Sequence, residues 1–133
     1  MHELAFEKLV TYDAGKPGIS LEVELRLGQE FVLVEAKIDT GASVCIFARS
    51  IGESLGLEIE SGRLGNMATV TGIFRVFAHE VTVITQGFEI DTEVYFAEDE
   101  SFQRNVLGRL GWLNQFILAI NDYDGKLYLS RHE

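Results

Sequence analysis

From Ile19 to Leu27 the chain alternates without a break: Ile19, Leu21, Val23, Leu25 and Leu27 are apolar, and Ser20, Glu22, Glu24 and Arg26 between them are polar. Successive side chains of an extended strand point to opposite faces, so this period of two predicts a strand with one face on a core and the other in water. Gly28-Gln29-Glu30 reads as a hairpin turn, and Phe31 to Ile38 as its return strand, opening on the apolar run Phe31-Val32-Leu33-Val34. The same pattern predicts strands from Ala68 to Thr71, Phe74 to Ile84, Phe88 to Ala97, Phe116 to Asn121 and Leu127 to Leu129.

Two patches carry a helical period instead. Ala48, Ile51 and Leu55 fall on one face, with Gly56 placed as a C-terminal cap. Arg109 to Gln115 reads as a second short helix with Leu110, Trp112 and Leu113 facing inward. The single proline, Pro17, sits in the loop Asp13-Ala14-Gly15-Lys16-Pro17-Gly18. The expectation is a mainly β fold, one domain over residues 1–133, with residues 1–18 as an N-terminal extension.

Charge and cysteine content narrow the function. Lys and Arg number 11 against 21 Asp and Glu, a formal charge of −10, and sequence-independent binding of a phosphate backbone needs the opposite sign. The lone Cys45 excludes an internal disulfide framework and a multi-cysteine zinc site. The opening Met1-His2-Glu3-Leu4-Ala5-Phe6-Glu7 has no basic head and apolar run, and no stretch approaches the ~20 apolar residues of a membrane span. These features predict a cytoplasmic protein that engages neither membrane nor nucleic acid.

One tetrapeptide conflicts with its surroundings. Asp39-Thr40-Gly41-Ala42 follows directly on the apolar strand ending at Ile38, where an ionised carboxylate is costly unless it is paired or hydrogen-bonded. Thr40 offers a hydroxyl, Gly41 permits a tight turn that aims backbone N–H groups back at the acid, and Ser43 could add a donor. Downstream, Asn105-Val106-Leu107-Gly108-Arg109 places two apolar residues and a glycine at a strand end. Between them, Ala68 to Val76 forms two apolar-rich strands joined at Thr71-Gly72, a hairpin able to reach over whatever Asp39 faces.

This order resembles the retropepsins, the retroviral-type aspartic peptidases and their cellular and bacterial relatives, from about Leu21 to Leu129. The resemblance implies a closed, mainly antiparallel β-barrel, one lobe per chain, with one or two short helices and a flap hairpin. It implies an endopeptidase without metal or organic cofactor, in which Asp39 is the catalytic aspartate. Thr40 would brace the base of the site against its symmetry mate, and Gly41 would contact the substrate backbone. Ala42, Val44, Ile46 and Val106 would line apolar side-chain pockets, and Thr71, Gly72 and Ile73 would form the flap tip. Leu107, Gly108 and Arg109 would be structural. Retroviral enzymes usually carry an acid where this chain has Ser43, so Arg109 needs another partner, such as an acid of the N-terminal segment.

The reaction needs two carboxylates sharing a proton around one water, one acting as base and the other, protonated, polarising the peptide carbonyl. One Asp-Thr-Gly per chain therefore implies a homodimer with its two-fold axis between the two aspartates. A charge of −10 doubles on association, which predicts a mildly acidic optimum as carboxylates protonate. The rival reading is a non-proteolytic dimeric module that keeps the fold to bind peptides or to scaffold. Three other signals are set aside: Cys45 as a buried inert thiol, His79 as a surface or half-buried strand residue, and Asp122-Tyr123-Asp124-Gly125 as a hairpin turn without a closing glutamate for calcium. Glu98-Asp99-Glu100 reads as a solvated acidic loop placed where it could influence substrate choice, and Phe74, Phe77, Phe88, Tyr95 and Phe96 as mostly core.

Overall fold

A computed structural model describes residues 1–132. In chain order its elements are β1 (Lys8–Thr11), β2 (Ser20–Leu27), β3 (Glu30–Ile38), β4 (Ile46–Phe47), α1 (Arg49–Ser54), β5 (Arg63–Thr69), β6 (Gly72–Thr85), β7 (Phe88–Ala97), β8 (Val106–Leu107), β9 (Phe116–Asn121) and β10 (Lys126–Arg131). Single 3-10 turns lie at Ile59–Ser61 and Leu113–Gln115. Among the described residues no helix is long and apolar enough to cross a membrane.

Seven strands form one sheet in the order β2-β3-β8-β4-β7-β6-β5. Strand β6 is long enough to serve two neighbours on one edge: Gly72 to Ala78 pairs with β5, and Thr82 to Ile84 pairs with Arg26 to Glu24 of β2. The second pairing returns the sheet to its first strand. Strand β1 joins β10 and β9 in a separate three-stranded sheet. The expected alternation holds in β2, where Leu21, Val23 and Leu25 are buried and Glu22 and Arg26 exposed. In β3 the apolar run splits by face: Val34, Ala36 and Ile38 go inward, but Phe31 and Leu33 stand in solvent opposite Arg26 and Glu24.

Helix α1 ends as its sequence predicts. Gly56 adopts φ +82°, its N–H donates to the Glu53 carbonyl at 2.9 Å, and the Leu57 N–H donates to the Gly52 carbonyl at 3.2 Å; this left-handed cap satisfies carbonyls that the helix leaves open. The second expected helix does not form. Leu110, read as inward-facing, is exposed and bridges Val44 in parallel, and Gly111 at φ +97° breaks any helical path before Trp112. Only the 3-10 turn remains of it. Within the N-terminal extension, β1 is a strand that the sequence reading missed, paired from Lys8 opposite Leu129 to Thr11 opposite Lys126.

Arg49 ties α1 to its surroundings. Its guanidinium donates to both Glu60 oxygens, at 2.5 and 2.8 Å, to Glu53 at 3.3 Å and to the Glu98 carbonyl at 3.1 Å. The Arg49 pair holds the Glu60 carboxyl at about 2, below its ordinary 4.5. A carboxylate depressed by folding contributes stability that is complete above its unfolded value and fades as pH falls towards the folded one. Glu60→Gln should therefore lower the thermal midpoint modestly at neutral pH, with the gap closing between about pH 4.5 and about pH 2. A gap that stays constant through that window would contradict the assignment.

Candidate active site

The segment from Asp39 to Cys45 leaves β3 and re-enters the sheet at β4, and the end of β8 runs beneath it. Strand β8 lies between the two, parallel to β3 at Lys37–Val106 and Ile38–Leu107 and antiparallel to β4 at Ile46–Val106. Backbone hydrogen bonds fix the loop to the chain after β8. The Asp39 N–H donates to the Leu107 carbonyl at 3.0 Å, and the N–H groups of Arg109 and Leu110 donate to the carbonyls of Ala42 and Ser43, each at 2.9 Å. Gly108 passes so close beneath that an added Cβ would overlap the Val44 carbonyl. These contacts give Leu107 and Gly108 a structural place under the loop.

Around Asp39 the loop closes a tight turn. The Gly41 N–H donates to Asp39 Oδ1 at 2.9 Å, and the Ala42 N–H donates to the Asp39 carbonyl at 3.1 Å. The carboxyl group is exposed, with one oxygen held by the backbone. Thr40 and Ser43 are exposed as well, and their hydroxyls take no hydrogen-bond partner among the described residues. They border a hollow of ≈ 490 Å³ shared with Arg109 and the exposed Leu110. Arg109 forms no ion pair among the described residues, so the expected acid of the N-terminal segment does not reach it within the chain.

Asp39 lies on the lip of a cleft of ≈ 300 Å³. Gly41, Ala42, Val44, Ile46 and Val106 line it, which brings together the residues that the sequence reading assigned to substrate pockets on this side. The opposite side is formed by Met67, Ala68 and Thr69 of β5, Phe74 of β6, and Phe102 and Arg104 ahead of β8. Thr71, Gly72 and Ile73 lie farther out, along an adjoining hollow of ≈ 440 Å³ that they share with Asp99 and Ser101. The hairpin turn is Val70-Thr71, one residue earlier than Thr71-Gly72, because Thr69 and Gly72 pair in register. Thr69 stabilises that placement, its hydroxyl donating to the Gly72 carbonyl at 3.0 Å and accepting the Thr71 N–H at 3.3 Å.

Six cleft residues carry no site assignment from the sequence: Met67, Phe102 and Arg104 are not singled out, Ala68 and Thr69 are read only as part of the hairpin, and Phe74 as core. Phe74 is half-buried and stacks on Phe102, ring centroids 5.2 Å apart. The usable signal was position, since Phe102 and Arg104 immediately precede Asn105-Val106-Leu107-Gly108.

Cys45 is buried behind the site, receiving the Gly108 N–H at 3.4 Å, and burial pushes its thiol up to about 11. A thiol so shifted is protonated at neutral pH and is no nucleophile. His79 is half-buried and spent on the Ile59 carbonyl at 2.9 Å. The Asp122 to Gly125 segment is the β9–β10 turn, tied by the Asn121 side-chain amide to Asp124 at 2.9 Å.

No family model matches the chain, and no curated protein matches it in sequence. Solved structures do. The chain is similar to a retropepsin-like aspartic protease from Rickettsia conorii, at TM-score 0.67 and 16% identity over 96% of this chain and 100% of the other. It is also similar to the EIAV protease complexed with the inhibitor HBY-793, at TM-score 0.58 and 23% identity over 75% of this chain and 88% of the other. The fold is retropepsin-like. Within that retropepsin-like frame Asp39 projects from the loop over β8, at the end of the cleft that the β5–β6 hairpin walls.

Proposed function

We propose that this chain is an aspartic endopeptidase that works as a homodimer, Asp39 facing Asp39 of the partner subunit across a two-fold axis. The observation that carries the reading is the setting of Asp39: an exposed carboxyl, one oxygen fixed by the Gly41 N–H, at the mouth of a mostly apolar cleft. A single carboxylate there has nothing to exchange a proton with. Two of them, close enough that both cannot ionise, share one proton and titrate as a unit.

In the reaction the ionised member takes a proton from a water held between the two carboxyls, and the protonated member donates a hydrogen bond to the peptide carbonyl. The water oxygen bonds to the carbonyl carbon as the protonated member passes its proton to the carbonyl oxygen, giving a tetrahedral gem-diol, while the proton taken from the water stays on the other carboxyl. The C–N bond then breaks as that proton passes to the nitrogen and one gem-diol hydroxyl returns its proton to the facing carboxylate, leaving a new carboxyl and a new amine. Gly41 is positioned for the peptide backbone. Ala42, Val44, Ile46 and Val106 take apolar side chains flanking the cut. The hairpin carrying Thr71, Gly72 and Ile73 closes from above. Thr40 and the hollow it shares with Arg109 and Leu110 form the seat for the second copy, where the unused hydroxyl and guanidinium find partners.

We further place residues 1–133 in one domain working in the cytoplasm, a setting that its one buried thiol suits. A charge of −10 disfavours nucleic acid as a partner. Incubation with a mixed peptide library across mildly acidic to neutral pH, followed by sequencing of new termini, tests the activity. Fragments cut between apolar residues are expected; an intact library would overturn it.

A further inference from the structure

Arg104 is the cation of the cleft, and like Arg109 outside it, it has no partner among the described residues. Arg26, Arg49, Arg63 and Arg75 each pair with a glutamate, whereas Arg104 forms no ion pair and no side-chain hydrogen bond among the described residues. It is exposed, yet it borders three adjoining hollows: the cleft itself, the one beneath the hairpin tip, and a third of ≈ 250 Å³ that also holds Glu35, Lys37 and Asp39. Its backbone is not free to drift. The next residue, Asn105, accepts the Lys37 N–H on its carbonyl at 2.9 Å and the Ala48 N–H on its side-chain oxygen at 3.0 Å. Two residues earlier, Phe102 is stacked on Phe74.

We propose that Arg104 determines specificity by reading an acidic side chain of the bound peptide, so that substrates combine apolar residues at the cut with an Asp or Glu at one fixed distance from it. This rests on the peptidase reading for the site it serves. The charge pattern supplies the argument. A chain of net charge −10 whose cleft mouth already holds Asp39 repels an acidic peptide, and Glu35 and Asp99 border the neighbouring hollows. Among the described residues Arg104 is the one cation lining the cleft itself, Lys37 bordering only the third hollow, and an unpaired guanidinium carried on an anchored backbone gives a peptide carboxylate a favourable place to lie there. Desolvating that guanidinium against an apolar side chain would instead leave it without any partner. Arg presents a planar donor fork that suits a carboxylate better than a point charge does.

The test uses the full chain carrying Asp39→Asn, which holds a peptide without cleaving it, and a random octapeptide library in two forms, amidated and free at the C-terminus. Peptides retained on the immobilised protein are sequenced. A two-fold dimer carries two copies of Arg104, so enrichment of Asp and Glu by about threefold to tenfold is expected at one or both of two positions equally spaced about the apolar pair, in both forms. Adding Arg104→Glu should reverse the preference to Lys and Arg, Arg104→Ala should abolish it, and Arg104→Lys should weaken it. Absence of acidic enrichment, enrichment confined to the free C-terminal form, enrichment unmoved by Arg104→Glu, or no retained peptide would each overturn the proposal. Retention with acidic preference by this protein, alongside a wild type that cuts nothing, would uphold Arg104 and remove the peptidase reading instead.

Discussion

Asp39→Asn is expected to lower peptide cleavage by at least about 10³-fold while leaving the fold intact. The substitution keeps an oxygen to accept the Gly41 N–H, which donates to Asp39 Oδ1 at 2.9 Å, so the turn has no reason to open. Exposure of the carboxyl means that no buried charge is removed. What disappears is the titratable group: an amide can neither take the proton of the water nor share one with a facing carboxyl. The measurement is the initial rate of fragment release from one defined peptide, with the thermal midpoint read in parallel. A variant that folds normally and still cleaves within about tenfold of wild type would remove Asp39 from the chemistry. If the wild type itself binds peptides without cutting them, the chain is the binding or scaffolding module instead.

Trp112→Ala should produce the largest loss of stability, about 5 kcal/mol, and with it the loss of the site. Trp112 is completely buried, its ring 5.0 Å from that of Phe116. Its indole N–H donates to Thr85 Oγ1 at 2.9 Å, and Thr85 is itself fully buried. Removing the ring leaves a cavity worth about 3–5 kcal/mol and orphans a buried hydroxyl at a further cost of about 1–3 kcal/mol. Total stabilities of small proteins are about 5–15 kcal/mol, so chemical denaturation should show a marginal or unfolded variant. Trp112→Phe separates the two contributions: it fills most of the space, cannot donate to Thr85, and should lose only about 1–3 kcal/mol. The ring also supports the segment carrying Arg109 and Leu110, whose N–H groups hold the Asp39 loop, so partial unfolding here should cost peptide binding as well. A loss below about 1 kcal/mol for Trp112→Ala would mean that the core is not organised around this residue.

The legible parts of this molecule are those where one local signal acts without competition. The alternation of β2 needed only a core on one side, and the left-handed Gly56 closed α1 within its own turn. Asp39 was conspicuous because an acid directly after an apolar strand conflicts with its neighbours. The run Phe31-Val32-Leu33-Val34 misled because apolar residues can face water, and only pairing with β2 decides which do. At Leu110 a local helical pattern was overridden by a bridge to Val44, sixty-six positions earlier in a loop whose path depends on β8. Strand β1 has little pattern of its own and exists because β10, from the other end of the chain, pairs with it. The cleft was half visible for the same reason. Its near wall is contiguous with Asp39, whereas Met67, Phe74, Phe102 and Arg104 reach it only through the sheet.

The account depends on an aspartate that works only when a second copy of itself faces it. The direct test is to refold wild-type chains together with Asp39→Asn chains at fixed total concentration and measure cleavage against the wild-type fraction. Random pairing makes the population with two aspartates the square of that fraction, so an equal mixture should retain about one quarter of the unmixed wild-type activity. Retention of about one half, proportional to the wild-type chains present, would show that each chain acts alone and would contradict the shared site.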